Sequence, residues 1–108
     1  MQNRNERIRE IISRMNCDIV VAIPRMITPT AEEMTEAFQE FNREKRYGMR
    51  EAKEPLKISN TTNGNDKTFV YADVYKLKNY PRYMERFLEM CQDAGEDICL
   101  LGMNLTLS

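Results

Sequence analysis

A short apolar segment near the N-terminus places the strongest constraint on the fold. Residues 19–23, Ile-Val-Val-Ala-Ile, are mostly β-branched, and they lie between Asp18 and Pro24. β-branched residues favour strands, and a proline ends a strand because it has no backbone N–H to donate. The segment therefore predicts a buried strand at the centre of a sheet.

Three helices are predicted from apolar residues that recur every three or four positions. The first covers residues 5–15, the second begins with Thr30 and Glu33 at the spacing of a capping box, and the third begins near Pro81. Their apolar stripes are Ile8, Ile11, Ile12 and Met15; Met34, Ala37, Phe38 and Phe41; and Met84, Phe87, Leu88 and Cys91.

Further strands are predicted on either side of the third helix. Residues 56–59 alternate between apolar and polar, Asn63-Gly64 marks a tight turn, and residues 68–77 read as one long strand. A last strand is expected over residues 97–107, with a bend at Gly102. The order is an N-terminal helix followed by β-α-β-β-α-β, typical of a ferredoxin-like two-layer α+β sandwich with two helices on one face. We expect residues 1–108 to form a single α+β domain.

The charge balance argues against a general affinity for nucleic acid. The chain has 16 basic and 17 acidic side chains and a net charge of -1, so it lacks the positive field of a strongly basic protein. No apolar run approaches the ~20 residues of a membrane helix, and residues 1–9 are polar where a signal peptide would be apolar. We expect a cytoplasmic protein with no membrane role.

The absence of histidine removes the commonest general base and metal ligand. Cys17, Cys91 and Cys99 have neither the spacing of a metal site nor that of a redox pair, and we expect three buried, reduced thiols. We therefore expect no catalytic residues, no metal and no cofactor, and the chain is predicted not to be an enzyme.

One face of the predicted strand over residues 68–77 carries the candidate partner-binding residues. Phe69, Tyr71, Asp73 and Tyr75 alternate with Val70, Ala72 and Val74, so the two sets point to opposite faces. If the valine face packs beneath the helices, the aromatic face must be covered by the first helix, a second subunit or a partner.

The alternative for the same face is single-stranded RNA. The segment from Lys67 to Tyr75 is loosely similar to the base-stacking strand of RNA-recognition motifs. It lacks the glycines of that motif, Asp73 would repel phosphate, and the first strand offers no aromatic residue.

A basic stretch is the candidate docking edge for an acidic protein or a phosphate backbone. Three acidic residues interrupt its six basic ones, so its net charge is +3, and its default interpretation is a solvated helix end. The basic residues are Arg43, Lys45, Arg46, Arg50, Lys53 and Lys57.

A third alternative is a metal-dependent phosphodiesterase that uses Asp18 and Asp73. Nothing in the spacing of the aspartates, Asp97 included, requires a metal, and the four glycines are scattered instead of forming a phosphate-binding loop.

From Ile19 onward the layout resembles the N-terminal domain of the SseB (enhanced serine sensitivity) family. The resemblance lies in the apolar strand ending at Pro24, the hairpin over residues 57–72, the helix, and a closing segment similar to Leu101-Gly102-Met103-Asn104-Leu105-Thr106-Leu107. Ala72-Asp73 stand where the family has a Phe-Thr pair. The resemblance implies a small bacterial or phage-borne module that acts through partners.

The leading hypothesis is a non-catalytic protein-interaction or regulatory module. It would bind itself, as a homodimer, or a protein partner, through the aromatic sheet face or an exposed strand edge.

Overall fold

The computed structural model describes residues 3–25, 29–47, 54–62, 65–93 and 98–104, with side chains described outside 44–47, 60–62, 65–66 and 93. An α+β fold is confirmed, with the predicted N-terminal helix followed by β-α-β-β-α-β and one extra short helix. The elements are α1 (Arg4–Ser13), β1 (Ile19–Pro24), α2 (Ala31–Tyr47), β2 (Leu56–Thr62), β3 (Asn65–Asp73), α3 (Val74–Asn79), α4 (Pro81–Asp93) and β4 (Ile98–Met103).

The four strands form one antiparallel sheet in the order β2-β3-β1-β4. As predicted, β1 is a central strand, and Val21 lies opposite Tyr71 on one side and Leu101 on the other. Strands β2 and β4 are therefore the two edges of the described sheet. The predicted turn at Asn63-Gly64 and the predicted last strand beyond residue 104 lie outside the described residues.

Helices cover both faces of the sheet. Helix α2 packs on the face formed by the odd-numbered residues of β1, whereas α1, α3 and α4 pack on the face that carries Val20 and Ala22. The expectation that the two crossover helices, α2 and α4, lie on the same face, as in a ferredoxin-like arrangement, does not hold. Every residue from Ile19 to Ile23 is buried, so each face of this strand needs a helical cover of its own.

This division gives the two crossover connections opposite hands. The connection from β1 through α2 to β2 and the connection from β3 through α4 to β4 are related by a two-fold rotation about an axis perpendicular to the sheet. The two connections would therefore have the same handedness if α2 and α4 lay on the same face of the sheet. Because α2 and α4 lie on opposite faces, one crossover is left-handed. Such connections are right-handed in about 98% of cases. Helix α2 lies on one face of the sheet, and the other three described helices lie on the opposite face.

The predicted long strand over residues 68–77 is wrong at its C-terminal end. Strand β3 ends at Asp73, which is the N-cap of α3, and Asp73 Oδ1 accepts a hydrogen bond from the Lys76 N–H at 3.2 Å. Val74 and Leu77 then share the buried side of this helix. Tyr75 therefore lies on a helix and not beside the aromatic residues of β3.

The helical stripes follow the sequence pattern with one exception. All four predicted residues of α4 are buried, and those of α2 are buried or packed against the core. In α1, Ile8 and Ile12 are buried, but Ile11 is 40% exposed. Among the described helices, none is both long and apolar enough to cross a bilayer.

Candidate interaction surfaces

The predicted aromatic binding face is part of the core. Phe69 and Tyr71 are fully buried, and the ring of Phe41 from α2 stacks on Tyr71 with 4.9 Å between the ring centroids. The prediction that these two residues bind a partner is therefore wrong. The cover is α2 of the same chain, not the first helix or a second subunit.

The hydroxyl groups of two buried tyrosines differ in their partners. Tyr83 Oη accepts a hydrogen bond from the Asp73 N–H at 3.0 Å. Tyr71 Oη has no hydrogen-bond partner among the described residues. Burial raises the pKa of both Tyr71 and Tyr83 to about 12, so neither hydroxyl ionises near neutral pH.

The candidate carboxylates do not form a metal centre in the described part of the chain. Asp73 caps α3, and the Val74 N–H donates to the Asp18 carbonyl at 2.9 Å, so the two aspartates are neighbours at one end of the sheet. No group of three carboxylates or thiols comes together among the described residues. Asp97 lies outside them.

Glu33 is the buried charge of the described structure. Its Oε1 accepts hydrogen bonds from the Thr30 N–H at 3.2 Å and from Lys67 Nζ at 2.8 Å. The hydrogen bond from Lys67 lowers the pKa of Glu33, with burial opposing it and Thr30 adding to it. The predicted capping box is confirmed, because the Glu33 N–H also donates to Thr30 Oγ1. Lys67 thus fastens the start of α2 to β3.

Little of the predicted basic docking edge can be assigned to one surface. Arg43 is exposed and pairs with Glu40 on α2, and Lys57 lies on β2 beside a groove of about 500 Å³ between α2 and β2. The side chains of Lys45 and Arg46, together with Arg50 and Lys53, lie outside the described residues. The groove carries Glu36 and Glu40 as well as Lys57, so its wall is not basic.

The three thiols occupy three different environments. Cys91 is buried, and burial raises its pKa to about 12. Cys17 is half-buried, and Cys99 is exposed on β4, so the expectation of three buried thiols is correct only for Cys91. The apolar run around Cys99 suggested burial, but an edge strand is covered on fewer sides than a central one.

Strand β4 presents an apolar edge. Its six residues, Ile-Cys-Leu-Leu-Gly-Met, carry no charge and no proline. Cys99 and Leu101 lie opposite Ile23 and Val21, so they point to the face that α2 covers over the neighbouring strands. Yet Cys99 is exposed and Leu101 is 44% exposed, so α2 does not shield this margin of the face.

A second exposed apolar surface is an aromatic pair. Tyr75 on α3 is 67% exposed and Tyr80, just beyond it, is 53% exposed. Their ring centroids are 6.5 Å apart at an interplanar angle of 66°. Tyr75 was predicted as a binding residue and is accessible. Tyr80 was missed because the sequence pattern indicated only a helix start at this point, and a spacing of five residues from Tyr75 predicts no shared face on a helix or a strand.

Comparisons of this chain with protein-family models, with curated proteins and with solved structures found no match. The resemblance to the SseB family therefore stays a prediction.

Proposed function

We propose that the chain is a non-catalytic protein-interaction module that pairs with a second copy of itself along β4. The observation that carries the proposal is the uncharged, proline-free edge strand with a half-exposed leucine. Natural edge strands are normally guarded by charges, prolines or bulges, because an unguarded edge recruits another strand. The other edge follows that rule, since Pro55 precedes β2 and Lys57 lies on it.

A second copy suits this edge because the strand is complementary to itself. Two copies can pair their β4 strands antiparallel about a two-fold axis perpendicular to the sheet. The side chains of directly opposite residues then lie on the same face of the joined sheet. A register that sets Leu101 of one copy against Cys99 of the second copy covers both exposed side chains at once. Two four-stranded sheets would then join into one of eight strands.

Electrostatics do not oppose this pairing. Strand β4 has no charged residue, so no like charges are brought together along the new strand pair. The net charge of -1 means that two copies approach each other with little overall repulsion. The association would rest on backbone hydrogen bonds and on burial of apolar surface.

The non-catalytic part of the proposal is supported by the buried titratable groups. The pKa values of Cys91, Tyr71 and Tyr83 are all raised to about 12 by burial. A nucleophile or general base needs a pKa near the working pH. The burial of these three side chains thus favours a role in packing over a role in catalysis.

The test is the solution mass of the chain by light scattering across a range of concentrations. The wild type should reach twice the 12.8 kDa of one chain, and Leu101→Lys should remain a monomer. Ile11→Lys is the matched control, because Ile11 is 40% exposed but lies on α1, and this variant should still dimerise. Circular dichroism should show that both variants are folded. A monomeric wild type at every concentration would refute the proposal, as would a dimer that Leu101→Lys leaves unchanged.

Cross-linking locates the interface independently. In the single chain Cys99 is exposed, whereas Cys17 is half-buried and Cys91 is buried. A short bismaleimide added while chains and dimers exchange should therefore react first at Cys99 and link it to Cys99 of the second copy. Cys99→Ser should abolish the cross-linked dimer. Cross-linking that persists in Cys99→Ser would place the contact elsewhere.

A further inference from the structure

We infer that the exposed Tyr75 and Tyr80 pair, with the basic residues around it, binds single-stranded nucleic acid. This surface differs from the β4 edge in residues and in chemistry. Helix α3 belongs to the helical layer on the face opposite α2, whereas Leu101 points to the α2 side. The two sites can therefore be tested separately.

Hydrogen bonds order the backbone that carries the aromatic pair before any ligand binds. The Tyr80 N–H donates to the Lys76 carbonyl at 2.8 Å, and the Tyr83 N–H donates to the Tyr80 carbonyl at 3.1 Å. Asn79 Nδ2 donates to the Tyr75 carbonyl at 2.8 Å. Both rings consequently project from a fixed backbone, which lowers the entropy cost of stacking a base on them.

The surroundings of the pair carry positive charge. Residues 74–84 contain Lys76, Lys78 and Arg82 and no acidic residue, and with the flanking Asp73 and Glu85 the net charge of residues 73–85 is +1. Lys78 Nζ donates to the Met15 carbonyl at 2.6 Å, which brings α3 and its charge against the end of α1. A phosphate backbone is the complementary ligand for such a surface.

The composition of the patch favours nucleic acid over an acidic protein. The cores of protein interfaces are depleted in lysine, whereas nucleic-acid interfaces are polar and strongly basic. The aliphatic side chains of this segment point inward, since Leu77 and Met84 are buried. What remains outside is two aromatic rings among cations, the combination that stacks bases and neutralises phosphates.

The experiment is fluorescence anisotropy of the full chain with labelled 12-nucleotide oligo(U) and oligo(dT), titrated with salt. Binding to either should weaken about tenfold or more in Tyr75→Ala and in Tyr80→Ala, because one stacked base is lost. Tyr75→Phe and Tyr80→Phe keep the rings and should bind like the wild type. Preference for one oligonucleotide separates an RNA ligand from a DNA ligand.

The dependence of the binding constant on salt concentration tests whether the basic side chains neutralise phosphates. Lys78→Gln should reduce the slope of log K against log salt by about 0.7 for a single strand. Arg25→Gln is the control, because Arg25 is exposed and follows β1 at the opposite end of the sheet from Asp73 and α3, and this variant should leave the slope unchanged. No binding at about 50 mM salt, or binding that both alanine variants retain, would overturn the inference. Poly-glutamate that competes as well as oligo(U) would also overturn it, because it would identify an acidic-protein site. The Leu101→Lys monomer should still bind, so failure here leaves the dimer proposal standing.

Discussion

Removing one hydroxyl group from the core should stabilise this protein. Tyr71 Oη is buried without a hydrogen-bond partner among the described residues, and a buried unsatisfied polar group costs about 1–3 kcal/mol. Tyr71→Phe keeps the ring that stacks on Phe41 and deletes only that group. We therefore expect the free energy of unfolding to rise by about 1 kcal/mol or more, which corresponds to about 4 °C or more in Tm for a domain of this size.

Tyr83→Phe is the matched control with the opposite sign. Tyr83 is also buried, but its hydroxyl accepts the Asp73 N–H at 3.0 Å. Its removal leaves that N–H without its acceptor, and we expect a loss of about 1 kcal/mol. Urea unfolding of both variants at one protein concentration measures the two free energies, and unchanged m-values would show that only stability changed. If Tyr71→Phe is less stable than the wild type, the hydroxyl of Tyr71 has a hydrogen-bond partner in solution and the reasoning fails.

Three further outcomes are expected. Above about pH 9 stability should fall until about pH 12, because the folded state holds the protons of buried Cys91, Tyr71 and Tyr83, which the unfolded chain releases near pH 9 for the thiol and near pH 10 for the tyrosines; a pH series of Tm measures this, and a flat series would contradict it. Gly102→Ala should cost about 1–3 kcal/mol, since its Cβ would lie 2.6 Å from Cys17 Sγ, and Cys17→Ala should restore most of the loss in urea unfolding; equal stability of Gly102→Ala and wild type would exclude the clash. Below about pH 4.5 stability should fall as Glu33 is protonated, because Lys67 holds its pKa lower in the folded state than in the unfolded chain; Lys67→Gln should weaken this dependence in an acid pH series, and an unchanged dependence would refute the role of the pair.

The element types were predictable wherever local pattern and packing agree. Thr30 and Glu33 mark the start of α2, and both contacts of the capping box are present. The end of β3 was missed because the alternation of aromatic and small aliphatic residues continues past Asp73, through Val74 and Tyr75. Asp73 followed three residues later by Lys76, with Val74 and Leu77 three apart, was the competing signal for a helix start.

The location of the candidate interaction surfaces was harder to predict, because it depends on which helix covers which face of the sheet. The run from Ile19 to Ile23 indicates burial, but it does not say that α2 alone would lie on the side of Phe69 and Tyr71. Residue types also do not distinguish an edge strand from a central one. Leu101 lies in as apolar a run as Val21 and is nevertheless 44% exposed. Strand order, which long-range pairing decides, makes that difference.

The position of β1 between two hydrophobic cores affects how the protein unfolds. It contributes Val20 and Ala22 to one core and its odd-numbered residues to the other, and it pairs with a strand on each side. Neither core can come apart without breaking contacts to this one strand, so the two should behave as a single cooperative unit. The backbone amides of β1 should be the slowest in the chain to exchange with deuterium, and their rates should report the global free energy of unfolding.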